Sequence, residues 1–296
     1  MAAETFTVPH DDAGARLDRW LTRRLGLSAE RARALCEAGR VRIRGKACSP
    51  LRRLFGGEAI ELDRPPARAA PASGPDLPVL YDDAACLVVD KPAGLAVERT
   101  RPGAPSVVAA ASRLGRFDVD GQAAPGLPHR LDKETTGCLL LARTDAALLA
   151  LRAAFEAGEV EKEYLVLAGG APPDEGALDT PYGKDPKDPR RFTTRVASAR
   201  RARLAWRVER RLDGAALLRV RLDTGRTHQI RVQLAEAGFP VLGDPVYGAA
   251  SPAIARQALH AARLAFPSPA GGRVAVEAPL PADLAAALLA LDIDSP

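Results

Sequence analysis

Cysteine and histidine are scarce in this chain, and neither is spaced as in a metal site. The four cysteines lie far apart, with no C-x-x-C pair and no histidine at ligand spacing: Cys36, Cys48, Cys86 and Cys138. This arrangement argues against a zinc site and a disulfide framework, and it is typical of a reducing compartment. The four histidines are equally scattered, so we expect no bound metal.

Long apolar runs and the common nucleotide-binding motifs are also missing. No apolar run approaches the roughly 18 residues that a membrane-spanning helix needs. The N-terminal stretch MAAETFTVPHDDAG has neither the basic nor the apolar region of a secretory signal. No P-loop, G-x-G-x-x-G or G-x-S-x-G motif occurs, which disfavours nucleotide binding and serine hydrolase chemistry. We expect a cytoplasmic protein without membrane contact.

Lysine is much rarer than arginine. Of the 42 basic residues only six are lysine, and the formal net charge is +5. A positive balance favours a polyanionic partner, and the planar fork of arginine suits phosphates and base edges. A biased codon supply would produce the same composition, so the composition alone leaves the partner open.

A proline-rich stretch divides the chain into a small and a large segment. RPPARAAPASGPDLP, residues 64–78, carries five prolines and few residues to bury, which predicts a linker. We therefore expect an N-terminal domain at residues 1–64, a linker at residues 65–79 and a larger domain at residues 80–296. With 47% hydrophobic residues, the chain can form a sizeable core.

Residues 28–46 combine a predicted helix with a predicted basic strand. Ser28 is a suitable N-cap for the helix in SAERARALCEAG, and Gly39 stands where a C′ glycine belongs. In RVRIRGK, arginines alternate with Val41 and Ile43, so a strand would bury one face and expose basic side chains on the other. The basic residues of this region are Arg31, Arg33, Arg40, Arg42, Arg44 and Lys46. An RNA site and a plain solvated face fit this pattern about equally well.

The larger segment reads as strands with fewer helices. TDAALLALRAAFEAGEV predicts a helix capped by Thr144 and ended by Gly158, and THQIRVQLAEAG a shorter helix capped by Thr227 and ended by Gly238. Strands outnumber helices and do not alternate strictly with them. This pattern predicts an α+β fold rather than a doubly wound sheet.

The stretch GLPHRLDKETTG, residues 126–137, is the best candidate for chemistry without a metal. It places Asp132 two residues after Arg130, between a proline and a glycine. A neighbouring guanidinium favours the charged form of a carboxylate. A charged, positioned carboxylate can act as a nucleophile or stabilise a developing cation at a glycosidic carbon. Taken alone, such an aspartate is more often a turn or cap residue.

Several motifs together resemble the RluA-type pseudouridine synthases over residues 80–285. They occur in the order VVDKPAGLAV, HRLDKETTGCLLLARTDAAL, VEKEYLVLAGG, ALDTPYGKDPKDPRRF, LDTGRTHQIRVQLAEAGFPVLGDPVYG and ALHAARLAFPSP. The resemblance implies a mixed, mainly antiparallel sheet around an active-site cleft, in which Lys91 and Pro92 shape the cleft. Gln233 stands where the family commonly has histidine, and ERTRPG replaces a more usual His-Pro after the first motif.

The resemblance also implies a reaction and roles for individual residues. Uridine in RNA is isomerised by breaking its N1–C1′ bond and rejoining the uracil through C5, which needs no cofactor. Asp132 matches the catalytic carboxylate, which attacks C1′ or stabilises a glycal-like intermediate. Tyr164 matches the active-site tyrosine that removes or relays the C5 proton, and Arg226 matches the arginine that pairs with the aspartate. Arg130 matches the residue that fills the RNA stack after base flipping, and His129 beside it is a further candidate RNA contact.

RLDRWL, LSAERARALCEAGRVRIRGK and GGEAIEL, within residues 16–62, resemble the S4 RNA-binding module, with Arg44 in place of the usual asparagine. The resemblance implies RNA as partner, with large-subunit rRNA favoured over tRNA because of this added module, and a monomer is expected. A non-catalytic RNA-binding or ribosome-assembly protein is the alternative from another class. A nucleoside hydrolase would need a second acidic partner for Asp132, and none stands out.

Nine arginines between residues 190 and 211 suggest an extension of the RNA path. They are Arg190, Arg191, Arg195, Arg200, Arg201, Arg203, Arg207, Arg210 and Arg211. Contacts of this kind would make RNA affinity depend on salt. Trp206 and Phe192 lie in the same stretch and could stack on bases, but core positions are the favoured interpretation for both.

Overall fold

The computed structural model describes residues 3–65, 68–69, 74–101, 103–248 and 250–292. Residues 4–62, called the N-terminal unit below, form a four-stranded antiparallel sheet in the order β1-β4-β2-β3 with two helices and a core of their own. Its elements are β1 (Glu4–Thr7), a 3₁₀ turn (His10–Asp12), α1 (Leu17–Leu25), α2 (Ala29–Glu37), β2 (Val41–Ile43), β3 (Lys46–Ala47) and β4 (Ala59–Leu62).

Helix α2 begins and ends as its sequence predicts. The Ser28 side chain accepts a hydrogen bond from the backbone N–H of Arg31 at 3.0 Å, and Gly39 has a φ of 68° after the last turn. Strand β2 is shorter than expected. Val41 and Ile43 are buried on either side of exposed Arg42, but Arg44 has a φ of 53° and turns the chain out of the strand.

The rest of the chain is built around one nine-stranded sheet. Its elements are β5 (Arg68–Ala69), β6 (Val79–Asp82), β7 (Cys86–Lys91), α3 (Val107–Ala111), β8 (Gln122–Ala123), β9 (Thr136–Ala142), α4 (Asp145–Glu156), β10 (Glu161–Gly169), β11 (Glu175–Pro181), β12 (Gly183–Lys184), β13 (Phe192–Thr193), β14 (Arg201–Leu212), β15 (Ala215–Leu222), α5 (Gln229–Glu236), β16 (Leu259–Pro267), β17 (Arg273–Glu277) and α6 (Ala282–Ala290).

The strands of the large sheet follow the order β11-β14-β15-β10-β16-β9-β7-β6, and β17 pairs with β16. The pair β16–β9 is parallel, and the other pairs in this sheet are antiparallel. The predicted α+β class and the mixed, mainly antiparallel sheet are therefore confirmed.

The expected linker is partly ordered against the large segment. Residues 68–69 form β5, which pairs in parallel with β8, and β6 already begins at Val79. Residues 66–67 and 70–73 of the expected linker lie outside the described part of the chain. The N-terminal unit and the large segment also touch directly, because Ser28 Oγ donates to Asp120 Oδ1 at 2.8 Å.

The two predicted helices of the large segment differ in outcome. Helix α4 is confirmed, since the Thr144 hydroxyl accepts from the N–H of Ala147 at 3.2 Å. For α5 the predicted cap at Thr227 is wrong. The helix begins at Gln229 after His228, which has a left-handed φ of 58° and makes no side-chain capping bond. This single left-handed residue delays the start of the helix by one residue.

Gly137, the second residue of β9, lets β9 and β16 approach each other closely. Its φ is 104°, and an added Cβ would lie 2.2 Å from the carbonyl oxygen of Ala261. We expect Gly137→Ala to lower the free energy of unfolding by about 2–6 kcal/mol, because backbone strain and overpacking each cost about 1–3 kcal/mol. Urea unfolding measures the loss.

Gly214→Ala is the matched control for Gly137→Ala. Gly214 has a φ of 60° but nothing within 4 Å of the added Cβ. Gly214→Ala should therefore lower the free energy of unfolding by only about 1–2 kcal/mol, which is the cost of the left-handed conformation. Equal losses in the two variants would show that the close approach of β9 to β16 is not the reason for the glycine.

Candidate active-site cleft

A cleft of about 700 Å³ opens beside the central strand β10 of the large sheet, between the loop that carries Asp132 and residues 222–227. A smaller cavity of about 60 Å³ continues it behind Asp132. The two spaces share five lining residues: Arg130, Asp132, Tyr164, Leu222 and Arg226. A groove of about 770 Å³ lies elsewhere, where the N-terminal unit meets α3 and α4, and none of these five residues lines it.

The loop that carries Asp132 is tied down from several directions. The N–H of Thr135 donates to the carbonyl of Asp132 at 3.1 Å, which closes a tight turn. Lys91, which is fully buried, donates from Nζ to the carbonyl of Lys133 at 2.8 Å. Gln257 Nε2 donates to Thr135 Oγ1 at 2.8 Å. The loop is therefore fixed before any substrate binds, as a positioned carboxylate requires.

Arg231, and not Arg226, forms the ion pair with Asp132. Arg231 Nη1 donates to Asp132 Oδ2 at 2.9 Å, whereas Arg226 Nε donates to the carbonyl of Arg201 at 3.2 Å. The predicted pairing with Arg226 is wrong because Arg226 lies before the first turn of α5 and Arg231 lies within that turn. Arg226 therefore lies in the preceding loop with its side chain exposed, and the first turn of α5 places Arg231 inside.

Arg231 is itself held by a second carboxylate, which the sequence analysis did not identify. Its Nε and Nη2 donate to the two oxygens of Asp244 at 2.7 and 2.9 Å, and Asp244 is completely buried. Burial alone would raise the pKa of Asp244, but the Arg231 guanidinium and backbone N–H groups hold that pKa below its usual value. The bidentate pair fixes the guanidinium plane, so that Nη1 faces Asp132.

Tyr164 lies in β10 beside Asp132 and lines both cavities. Burial, with a further contribution from the negative charge of Asp132, raises the pKa of Tyr164 well above its usual range. Its hydroxyl is therefore protonated at neutral pH. This protonation state suits a group that relays or donates a proton better than a group that begins as a phenolate base.

His228 is the other titratable group next to Asp132. Its Nε2 lies 3.8 Å from Asp132 Oδ1, and its Nδ1 shares a hydrogen bond with the Tyr247 hydroxyl at 3.0 Å. Burial lowers the pKa of His228 although the charge of Asp132 opposes this effect. The ring is therefore mainly neutral at pH 7, and Arg231 is the cation that stabilises Asp132.

His129 lines the cleft and also anchors the start of the loop that carries Asp132. Its Nε2 accepts a hydrogen bond from the N–H of Leu140 at 2.9 Å, and its ring stacks on Phe155 with centroids 4.9 Å apart. Burial, with the charge of Lys162, lowers its pKa to about 3. A neutral, engaged ring fixes the start of the loop that carries Arg130 and Asp132.

The predicted arginine path along residues 190–211 is largely neutralised. Six of the nine arginines have a carboxylate within ion-pair distance: Arg190, Arg195, Arg201, Arg207, Arg210 and Arg211. Arg203, by contrast, lines the cleft and has no such partner in the described part of the chain. Trp206 is 7% exposed and belongs to the core, as expected. Phe192 is half-buried and stacks on Tyr182 at 5.5 Å.

The predicted basic face of the N-terminal unit is smaller than the sequence suggested. Arg31 packs over Gly121 of the large segment, since an added Cβ there would lie 2.5 Å from its guanidinium carbon. Arg33 and Arg40 are paired with Asp18 and Asp63. The remaining members are exposed and have no carboxylate at ion-pair distance among the described residues: Arg42, Arg44 and Lys46.

No group of three or more metal-ligating side chains occurs among the described residues. Within the same residues, no helix is long and apolar enough to cross a membrane.

Comparison with known proteins gives consistent matches. The family described as RNA pseudouridylate synthase matches residues 85–236. An uncharacterised RNA pseudouridine synthase of Chloroflexus aurantiacus is 38% identical over 94% of this chain and 90% of its own length. A protein of Xanthomonas campestris named ribosomal large subunit pseudouridine synthase D is 36% identical over 97% of this chain and 92% of its own length. A protein of the same name in Nitrosomonas europaea is 34% identical over 97% of this chain and 87% of its own length.

Solved structures show the same fold. Human RNA pseudouridylate synthase domain containing 1 superposes with a TM-score of 0.58 over 72% of this chain and 86% of that one, at 24% identity. Human RNA pseudouridylate synthase domain containing 4 superposes with a TM-score of 0.56 over 71% of this chain and 91% of that one, also at 24% identity. At this level of identity the likeness concerns the fold alone.

Proposed function

The chain belongs to the RluA-type family of RNA pseudouridine synthases, which are isomerases, and we propose from this premise that it converts specific uridines of large-subunit rRNA into pseudouridine. The observation that carries the proposal is the pairing of Asp132 with Arg231 at the floor of a cleft that Tyr164 also lines. The names of the relatives from Xanthomonas and Nitrosomonas support rRNA as the substrate.

Asp132 supplies the negative charge that the reaction needs. The N1–C1′ bond breaks, the uracil turns, a C5–C1′ bond forms, and the proton on C5 leaves. Asp132 either attacks C1′ or stabilises the positive charge that develops there, and both roles require the charged carboxylate that Arg231 stabilises. The protonated Tyr164 hydroxyl, which lines the same cleft, relays the C5 proton at the end.

Arg130 and Arg226 are proposed to bind RNA rather than to take part in bond making. Both are exposed at the cleft, and Arg226 makes no pair with Asp132. A base inside a stack is out of reach, so the target must be flipped out, and Arg130 fills the vacated position. Arg226 lies at the rim of the cleft and contacts a backbone phosphate.

We propose the domain division expected from the sequence, with an S4-like RNA-binding domain at residues 1–64, a connection at residues 65–79 and the catalytic domain at residues 80–296. The separate core of the N-terminal unit supports this division. We further propose that the protein is a monomer and works without a cofactor. We propose that the enzyme acts in the cytoplasm.

Replacing Arg42, Arg44 and Lys46 together with glutamine should weaken RNA binding. Each lost phosphate contact removes close to one unit from the slope of log affinity against log salt. We therefore expect an affinity at least tenfold lower and a slope reduced by up to about three, measured by filter binding of an rRNA transcript. Replacing Arg210 and Arg211 is the control, since both are already paired with carboxylates. The same loss in both variants would refute a specific basic face.

Incubation with rRNA and tRNA transcripts, followed by nucleoside analysis, tests the function itself. Pseudouridine in the rRNA transcript alone is the expected result. Pseudouridine in the tRNA transcript alone would place the substrate in tRNA instead. Release of free uracil would indicate a nucleoside hydrolase, and binding without conversion of either transcript would indicate a non-catalytic RNA-binding protein.

A further inference from the structure

Lys162 is a buried cation that points into the cleft and has no partner there. It lies in β10 two residues before Tyr164, and alternate residues of a strand share a face. Lys162 is 8% exposed and lines the cleft of about 700 Å³. Its Nζ makes no hydrogen bond or ion pair with the described residues, and it stands 5.8 Å from the centre of the Phe155 ring.

The side chain of Lys162 is largely enclosed, while its Nζ opens to the cleft and has no partner among the described residues. Proteins pair such charges because removing an ion from water costs several kcal/mol. Burial lowers the pKa of Lys162, and the charge of Asp223, which lies beyond ion-pair distance, acts in the opposite direction. The contact with Phe155 compensates for part of the cost only. Since the ammonium group faces the cleft, an anion that enters the cleft would complete its coordination.

We propose that Lys162 binds a backbone phosphate of the RNA strand that delivers the target uridine. The inference rests on the proposed function, because RNA brings one phosphate with every nucleotide. Arg130, Arg203 and Arg226 line the same cleft, so the phosphate would enter a surface that already attracts a polyanion. A strand rises about 3.3 Å per residue, which places Lys162 about 7 Å along β10 from Tyr164. Lys162 thus holds the backbone of the flipped nucleotide while its ribose faces Asp132.

The first test replaces Lys162 with methionine, which keeps the length of the side chain and removes the charge. We expect the Kd and the KM for an rRNA transcript to rise roughly ten- to a hundredfold, as for other lost bonds to charged groups, with kcat changed much less. The slope of log affinity against log salt should fall by about one. Lys162→Arg should preserve that slope, and Lys187→Met, at an exposed lysine outside the cleft, should change nothing.

The melting temperature separates this role from a structural one. Replacing a buried unpaired charge with an apolar side chain is neutral or stabilising, so Lys162→Met should melt at the same temperature as the wild type or higher. A lower melting temperature, or an unchanged Kd and salt slope, would overturn the inference. If the wild type makes no pseudouridine but Lys162→Met still changes the salt slope, the proposed reaction fails and the phosphate contact stands.

Discussion

Asp132→Asn is expected to abolish turnover while leaving the fold and RNA binding intact. Asparagine has the same shape, and its carbonyl oxygen can still accept the hydrogen bond that Arg231 Nη1 now donates at 2.9 Å. It has no negative charge to attack C1′ or to stabilise a cation there. Removing a reacting group of this kind lowers kcat on the order of 10⁴-fold or more. Single-turnover conversion of an rRNA transcript measures the loss.

The melting temperature and the Kd of the same variant are its controls. Both should stay close to the wild-type values, because the tight turn at Thr135 and the bond from Lys91 to the loop do not involve the carboxylate. A conversion rate within tenfold of the wild type would remove Asp132 from the chemical step. A large drop in melting temperature would mean that the lost activity reflects a disturbed loop.

Arg231→Met is expected to damage both stability and activity. The substitution leaves Asp244, which is completely buried, without its bidentate partner, and it leaves Asp132 without its ion pair. Breaking a buried pair by removing one member costs about 3–5 kcal/mol. We expect urea unfolding to show a loss of this size and conversion to fall at least a hundredfold at a temperature where the variant is folded.

Arg226→Met is the matched comparison, because the sequence alone had assigned the pairing role to Arg226. Its side chain is exposed and contacts only the carbonyl of Arg201 among the described residues. The free energy of unfolding should stay within about 0.5 kcal/mol of the wild type, as at other surface positions. The KM for RNA should rise. The reverse result, with Arg226→Met the more destabilised and less active at saturating RNA, would contradict the geometry of the cleft.

A double substitution tests the role of Asp244. If Asp244 acts on Asp132 only by holding Arg231, then Asp244→Asn should add little to the activity loss of Arg231→Met. Effects of residues in one network of contacts are not additive, which the double variant would reveal. A merely additive loss would contradict the role of Asp244 as a positioning residue that acts through Arg231.

The helix caps and the fold class could be predicted because they depend on local signals. Ser28 and Thr144 cap their helices through hydrogen bonds to residues three positions ahead, which a sequence pattern contains. The start of α5 could not be predicted in the same way. His228 adopts a left-handed conformation that its residue type does not require. The local pattern also does not show that Arg231, in the first turn of α5, lies opposite Asp132.

Charge neutralisation was the other feature hidden from the sequence. Arg210 and Arg211 look like part of a basic path, but Asp292 and Asp174, distant along the chain, are their partners. Lys162, by contrast, has no such partner among the described residues. Its spacing from Tyr164 predicts a shared face of the strand but does not show that this face points into a cleft. In both cases the surroundings of the charged side chain depend on how distant parts of the chain come together, which local patterns do not contain.

Tritium release from rRNA labelled at uracil C5 is the most direct test of the central claim that this cleft isomerises uridine. Wild type and Asp132→Asn are compared on the same transcript. Nucleoside analysis afterwards shows whether the uracil of the target nucleotide is still in the RNA. The account predicts release by the wild type alone, with the uracil retained in the chain as pseudouridine. Release by both proteins, or loss of uracil from the RNA, would contradict it.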